Sequence, residues 1–206
     1  MKSNLGSSLK AYALWALVLT ILFPVIYGTT NSLSLQAVRT FRFAHDLELA
    51  IPFVPMALLI YMTLQILFFL PVFFLNAPAI NQLGKALTFS LLVAAPIFYF
   101  LPAPIIYERQ IPEGFWQPAY QFLFSIDGHF NTFPSLHVTF SFILITFLNR
   151  QLNKPYLFCS WFLLICLSVL LTHQHHVADI FGGLILGFAT CRLFLKPEPL
   201  VLKTVV

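Results

Sequence analysis

Charge is what this chain lacks most: Asp, Glu, Lys and Arg together make up only 9% of its 206 residues. A soluble domain carries roughly a quarter, so a water-solvated globule does not fit. Cysteine is scarce too. Cys159, Cys166 and Cys191 are an odd number, without paired spacing, and all sit in apolar runs. That excludes a disulfide framework and a thiolate zinc signature, and leaves packing as their role. No repeat period, low-complexity tract or soluble segment interrupts the chain, so residues 1–206 read as a single domain. Hydrocarbon is what is abundant: 59% of the residues are hydrophobic and 24 are phenylalanine. This is the composition of an integral membrane protein, whose partner is the lipid bilayer. The net charge of +4 then sets topology and does not mark a nucleic-acid partner.

Crossing hydrocarbon takes about 20 mainly apolar residues in a helix. Six runs are read as spans: Ala11–Tyr27, Phe53–Leu75, Ala86–Ile106, Pro134–Leu148, Tyr156–Leu171 and Val177–Leu195. The fourth and fifth are short, so they are expected to tilt. The expected fold is all-α, a polytopic membrane bundle of about six transmembrane helices. Lys2 and Lys10 precede the first apolar run as they would in a signal peptide. The long core and the lack of a small-x-small cleavage site favour a retained first helix.

Six spans put both termini on one side. That side collects Lys2, Lys10, Lys85, Arg150, Lys154, Arg192, Lys196 and Lys203, against Arg39, Arg42 and Arg109 on the other. The excess of basic residues makes the termini cytoplasmic. His45, His129, His137, His173, His175 and His176 then all fall at the outer face, with every acidic residue except Glu198. The outer face is therefore expected to carry the chemistry. The brevity of the chain adds the expectation of a bacterial inner membrane.

Three elements there have chemistry to offer. The first is YERQIPEG, Tyr107 to Gly114. Its Arg109 is either half of a solvated pair with Glu108 or a planar fork of donors for phosphate oxygens. The second is NTFPSLHV, Asn131 to Val138. Asn131 or Thr132 can cap a helix there, and Pro134 suits its first turn. Open N–H groups at such a start bind anions, with the Ser135 hydroxyl and His137 close by. The third is THQHHVADIFGG, Thr172 to Gly183. His175 and Asp179 are one helical turn apart on one face, so the carboxylate can hold one ring nitrogen and free the other. His176 lies three residues before Asp179 and spacing alone does not choose between them. Alternatively Asp179 only caps the last helix while the histidines meet lipid phosphates. Gly182 and Gly183 allow a neighbouring helix close approach. Together these are the parts for phosphoryl transfer through a covalent phosphohistidine, with no obvious metal constellation.

The same residues resemble the type 2 phosphatidic acid phosphatase superfamily. FPSLHV looks like its second signature, Pro-Ser-x-His. HHVAD looks like its third, His-x-x-x-Asp, with Ser168 seven residues before His175. ERQIP resembles the end of the first, with the proline displaced to Pro112. The order Arg109, Asp127, Asn131, PSLH, THQHH resembles a branch near inositolphosphotransferases and sphingomyelin synthases. The resemblance covers roughly Leu101 to Gly187 and implies a six-helix membrane enzyme that needs no metal and no cofactor. By position it implies His175 as nucleophile, Asp179 as its orienting carboxylate, and His137 as the acid and then the base. Arg109, Ser135 and the backbone around Leu136 would cradle the phosphate of a phospholipid or other lipid phosphate. Two cations of the pattern are missing, since their positions fall on Pro102 and Val169. A phosphomonoester carries nearly two charges and a diester one, so this deficit tilts the expectation toward headgroup transfer between lipids. Protonated His173 or His176, or Arg39 and Arg42 folding over the site, are the candidate replacements. Thr29–Ala50 reads as an amphipathic interfacial lid. Two other classes stand beside the enzyme: a metal-binding membrane protein using His173, His175, His176 and Asp179, and a non-catalytic bundle.

Overall fold

A computed structural model of the protein describes residues 5–195. Lys2, Lys196, Glu198 and Lys203, which entered the topology count, lie outside the described residues. The architecture is all-α. Helix α1 is Leu5–Ser34. A loop with a short 3-10 turn at Asp46–Ala50 leads to three consecutive pieces, α2 (Ala57–Tyr61), α3 (Thr63–Phe69) and α4 (Pro71–Phe74). Then come α5 (Ala77–Phe100), the short α6 (Gln117–Ile126), α7 (Leu136–Leu152), α8 (Pro155–Leu171) and α9 (Val177–Phe194). Four stretches are long and apolar enough to cross a membrane: Leu5–Ser34, Ala57–Phe74, Ala77–Phe100 and Val177–Phe194. Helix α8 is a shorter apolar helix, and α7 has 17 residues.

The six expected spans each find a helical counterpart, but the boundaries move. The third was read as Ala86–Ile106; its helix runs Ala77–Phe100. Asn76 caps it by accepting from the Ala79 N–H at 3.0 Å, and Pro78 suits its first turn. The polar stretch after the cap is held inside, because Trp15 donates to Asn81 Oδ1 at 2.9 Å. Its other end stops at Leu101, before Pro102 and Pro104. An apolar run does not say where its helix ends when prolines follow it. The second span is interrupted at Met62 and Leu70. Thr63 Oγ1 bonds back to the Ile60 carbonyl at 2.6 Å, which competes with the helical ladder, and Pro71 brings no N–H.

Helix α1 packs on α5; α7 packs on α5, α8 and α9; α2 packs on α8. The centre is made by Leu67, Leu91, Ala94, Phe98, Ile143, Leu144, Leu148 and Ile165, all fully buried. Outside, Leu14, Leu17, Ile21 and Val25 form an exposed stripe along α1, and Leu163, Leu164 and Leu167 do so on α8. Stripes of this length are costly in water and matched to hydrocarbon.

Candidate active site

Helix α7 begins near the expected start, but its cap lies four residues after Asn131 and three after Thr132. Ser135 is the cap: its hydroxyl accepts from the Val138 N–H at 3.3 Å. Asn131 and Thr132 have other partners. The Asn131 amide donates to Tyr27 O and Thr30 Oγ1 on α1, both at 2.8 Å, and Thr132 donates to the Ala103 carbonyl. Pro134 therefore precedes the helix and is not part of its first turn. Below the cap, α9 lies against α7. A Cβ on Gly183 would stand 2.5 Å from the Ser135 carbonyl oxygen, and Thr139 Oγ1 donates to the Gly183 carbonyl at 3.1 Å. Ser135 also donates its N–H to the Asp179 carbonyl at 3.0 Å. Glycine at 183 is what lets the two helix starts meet.

That contact brings two predicted residues together. The rings of His137 and His175 have centroids 5.7 Å apart. His175 Nδ1 is 3.5 Å from Asp179 Oδ2, an electrostatic contact longer than a good hydrogen bond. The same oxygen accepts the His176 N–H at 2.8 Å. Asp179 is fully buried; it caps α9 and stands beside His175.

His173 and His176 go elsewhere. His173 stacks on Tyr107 at 4.0 Å, and His176 stacks on the same ring at 4.6 Å. His173 Nε2 donates to the Ile51 carbonyl at 3.0 Å. His176 Nε2 accepts the Ile106 N–H at 3.1 Å, which leaves Nδ1–H facing Glu48 Oε2 at 3.4 Å. Among the described residues no three His, Cys, Asp or Glu side chains gather as a metal cluster.

Arg109 does not join the histidine pair. Its guanidinium donates to the carbonyls of Phe124, Asp127 and Gly128 at 3.3, 2.9 and 2.7 Å and lies over the Phe124 ring. It closes the C-terminal end of α6, where open carbonyls attract a cation. Arg39 is exposed and Arg42 pairs with Asp46 on the surface. What the first loop folds inward is an acid. Glu48 accepts the Val177 N–H at 2.8 Å at the start of α9 and the His45 N–H at 2.9 Å, while Tyr107 donates to its carbonyl. The expected amphipathic lid is thus the last turn of α1, an irregular loop and a 3-10 turn docked by a carboxylate.

Burial holds the pKa of His173 and of His176 below the ordinary value; for His176, Asp179 and Glu48 pull upward and His175 pulls down, and burial outweighs the carboxylates. Neither ring supplies the missing phosphate cation near neutral pH. On unfolding, each ring returns to an ordinary pKa of about 6.5. Below that pH the unfolded chain binds protons that the folded chain refuses. Stability is therefore complete above about pH 6.5 and is lost as pH falls toward the lowered folded-state values. Thermal unfolding in detergent is expected to show a Tm that falls between about pH 6.5 and 5, with His176→Gln flattening that limb. An unchanged slope in His176→Gln would mean that this ring is not buried in its neutral form.

The histidine pair opens on a cavity of about 610 Å³. Its polar end is Tyr27, Tyr61, Asp127, Asn131, His137 and His175; Leu136 also lines it. The rest is mainly apolar, broken by Thr20 and Gln65, and runs along α1 from Tyr27 to Tyr12, about 22 Å at 1.5 Å per residue. Tyr27 and Tyr61 carry no sequence signal, and Asp127 stands in the sequence only as a position of the resemblance pattern, with no role attached. Tyr27 donates to Asp127 Oδ1 at 2.6 Å and Tyr61 to Oδ2 at 3.4 Å. Tyr61 Oη is also 3.5 Å from His137 Nδ1. The tyrosines sit in apolar runs some 66 to 100 residues from Asp127, and no local spacing links them.

A helical membrane-type bundle thus carries two histidines that line one largely apolar cavity. Residues 79–198, more than half of the chain, match the family model of the PAP2 superfamily. The chain belongs to the PAP2 superfamily, and membership supports a phosphatase-type enzyme acting on phosphate esters. No curated protein and no solved structure matches it. The matched segment holds His137, His175 and Asp179, while α1 to α4, with Tyr27, Glu48 and Tyr61, lie before it.

Proposed function

We propose that the protein is a membrane-embedded phosphatase or phosphotransferase that acts on lipid phosphate esters through a covalent phosphohistidine. The single observation that carries this is the His137–His175 pair, 5.7 Å apart between ring centroids, at the polar end of a long apolar cavity. An acyl chain fits the apolar length and leaves its phosphate at the histidines. Asp179 orients Nδ1 of His175, so Nε2 attacks phosphorus. The P–O bond to the leaving group breaks as His137 gives that oxygen a proton. Water or an alcohol then gives its proton to His137 and attacks phosphorus, and the N–P bond breaks. Ser135 shapes the phosphate cradle by starting α7 so that the Leu136 and His137 N–H groups have no partner within the helix. Arg109 acts on the cradle from a distance, by fixing the Asp127–Gly128 turn.

The positive-inside count favours placing this site at the outer face with the termini cytoplasmic. Cation scarcity, with Pro102 and Val169 at the two empty family positions and Arg109 bound to carbonyls, favours a singly charged phosphodiester and headgroup transfer over a doubly charged monoester. The test uses purified protein in lipid micelles with EDTA. Phosphatidate is supplied in one arm, and a phosphodiester lipid with a diacylglycerol or inositol acceptor in the other. Expected is vanadate-sensitive turnover that survives EDTA, with exchange of the headgroup exceeding release of phosphate. Turnover that requires added metal would return the His-rich segment to a metal-binding role. Absence of turnover on both arms would overturn the lipid ester reading.

A further inference from the structure

We infer that Tyr61 and Asp127 form a relay that fixes the tautomer of His137 and favours its protonated form; this rests on the acid–base role proposed above for His137. Tyr61 Oη has one hydrogen and two neighbours, Asp127 Oδ2 at 3.4 Å and His137 Nδ1 at 3.5 Å. An ionised carboxylate only accepts, and a hydrogen bond to it is stronger than one to a neutral nitrogen. The tyrosine hydrogen therefore goes to Asp127, and the phenol oxygen accepts from His137 Nδ1–H. Nε2 is left as the nitrogen that exchanges protons with substrate. These contacts are long, as acid–base contacts without substrate often are, but the rings are close: the Tyr61 and His137 centroids lie 4.3 Å apart.

The remaining contacts hold Asp127 in that role. Tyr27 donates to its other oxygen at 2.6 Å, so the carboxylate is bonded on both sides by phenols. Arg109 binds the Asp127 and Gly128 carbonyls at 2.9 and 2.7 Å and keeps the turn that aims it. The titratable or charged groups around His137 are Tyr61 from α2, Tyr27 from α1 through Asp127, Asp127 and Arg109 at the end of α6, and His175 with Asp179 at the start of α9. Asp127 is the carboxylate that Tyr61 links to His137. Its charge favours the imidazolium that the first step needs. Tyr61 and Asp127 are positioning residues. They act through His137, and Tyr61 and Tyr27 come from helices outside the family-matched segment.

The direct test is ¹⁵N NMR of imidazole-labelled full-length protein in micelles, with the His137 signals assigned by their loss in His137→Gln. In wild type, neutral His137 is expected as the Nδ1–H tautomer. In Tyr61→Phe, which keeps the ring and removes one oxygen, it is expected to move toward Nε2–H. In Asp127→Asn the protonation midpoint of His137 is expected about one unit lower, the scale of a nearby charge, with Asp127→Glu partly restoring it. The basic limb of the kcat/KM profile should move the same way. A mainly Nε2–H tautomer in wild type, or a midpoint unmoved in a folded Asp127→Asn, would overturn the relay. Should Asp127→Asn not fold, the tautomer in Tyr61→Phe decides alone. The NMR readout needs no turnover. An inactive protein with the predicted tautomer would sink the enzymatic reading and leave the relay standing; active protein with an unmoved His137 would do the reverse.

Discussion

His175→Ala is expected to lower turnover of the responsive phosphate ester by at least about 10⁴-fold while leaving a folded protein. The size follows from the role: without Nε2 there is no covalent intermediate, and only binding and the helix-start donors remain to assist direct attack by water. Survival of the fold follows from the contacts. The side chain of His175 makes one polar contact, at 3.5 Å to Asp179, whereas the Asp179 oxygen keeps the His176 N–H at 2.8 Å. Asp179 thus stays anchored when the ring is gone, and the cost to stability is about 1–3 kcal/mol. Two readouts separate chemistry from unfolding. Thermal unfolding in detergent should stay within several degrees of wild type. Rapid acid-free quenching with a radiolabelled substrate should trap label on wild type and none on His175→Ala. Label retained at the wild-type level in His175→Ala would move the nucleophile elsewhere.

This expectation was largely readable from the chain. His175 and Asp179 share a helix face by spacing alone, and PSLH announced a helix start; both are local features. Local features also fixed the all-helical class, because an apolar chain with so little charge has few other ways to satisfy its backbone in lipid. Everything that depends on distant segments was out of reach. Spacing did not separate His175 from His176. The separation comes from Tyr107, which stacks on His176 and His173, and from Glu48, delivered by a loop more than a hundred residues earlier. Arg109 looked like a phosphate ligand because it is a lone cation near histidines. The open carbonyls at the end of α6 take it instead, and those exist only once α6 has folded. Asp127, Tyr27 and Tyr61 reach the site from three elements and carry no shared motif. The start of α7 moved for a related reason: Ser135 caps it while Asn131 is bonded across to α1 and Thr132 to Ala103.

His137→Ala is expected to lower turnover of a lipid ester by about 10²–10⁴-fold, the range of a positioned acid–base group. The loss should depend on the leaving group in a way that no packing defect imitates. An alkoxide leaving from a lipid ester needs a proton as the P–O bond breaks, and without His137 the first step stalls. A nitrophenolate leaves without one, so His175 can still be phosphorylated by an aryl phosphate. The second step then fails, because water or alcohol has no base to take its proton. His137→Ala given an aryl phosphate should therefore show one rapid burst of nitrophenol, close to one per protein, followed by very slow turnover. The label it traps should be stable in alkali and lost in acid, as expected for a phosphorus–nitrogen bond. Ring loss also removes the ring packed against Tyr61, 4.3 Å away, so some destabilisation accompanies the change. His137→Gln keeps more of the volume and should burst in the same way. Equal losses on the lipid ester and the aryl ester, with no burst and no accumulated label, would remove His137 from proton transfer. The histidine pair would then have one member doing chemistry and one holding the helix start in place.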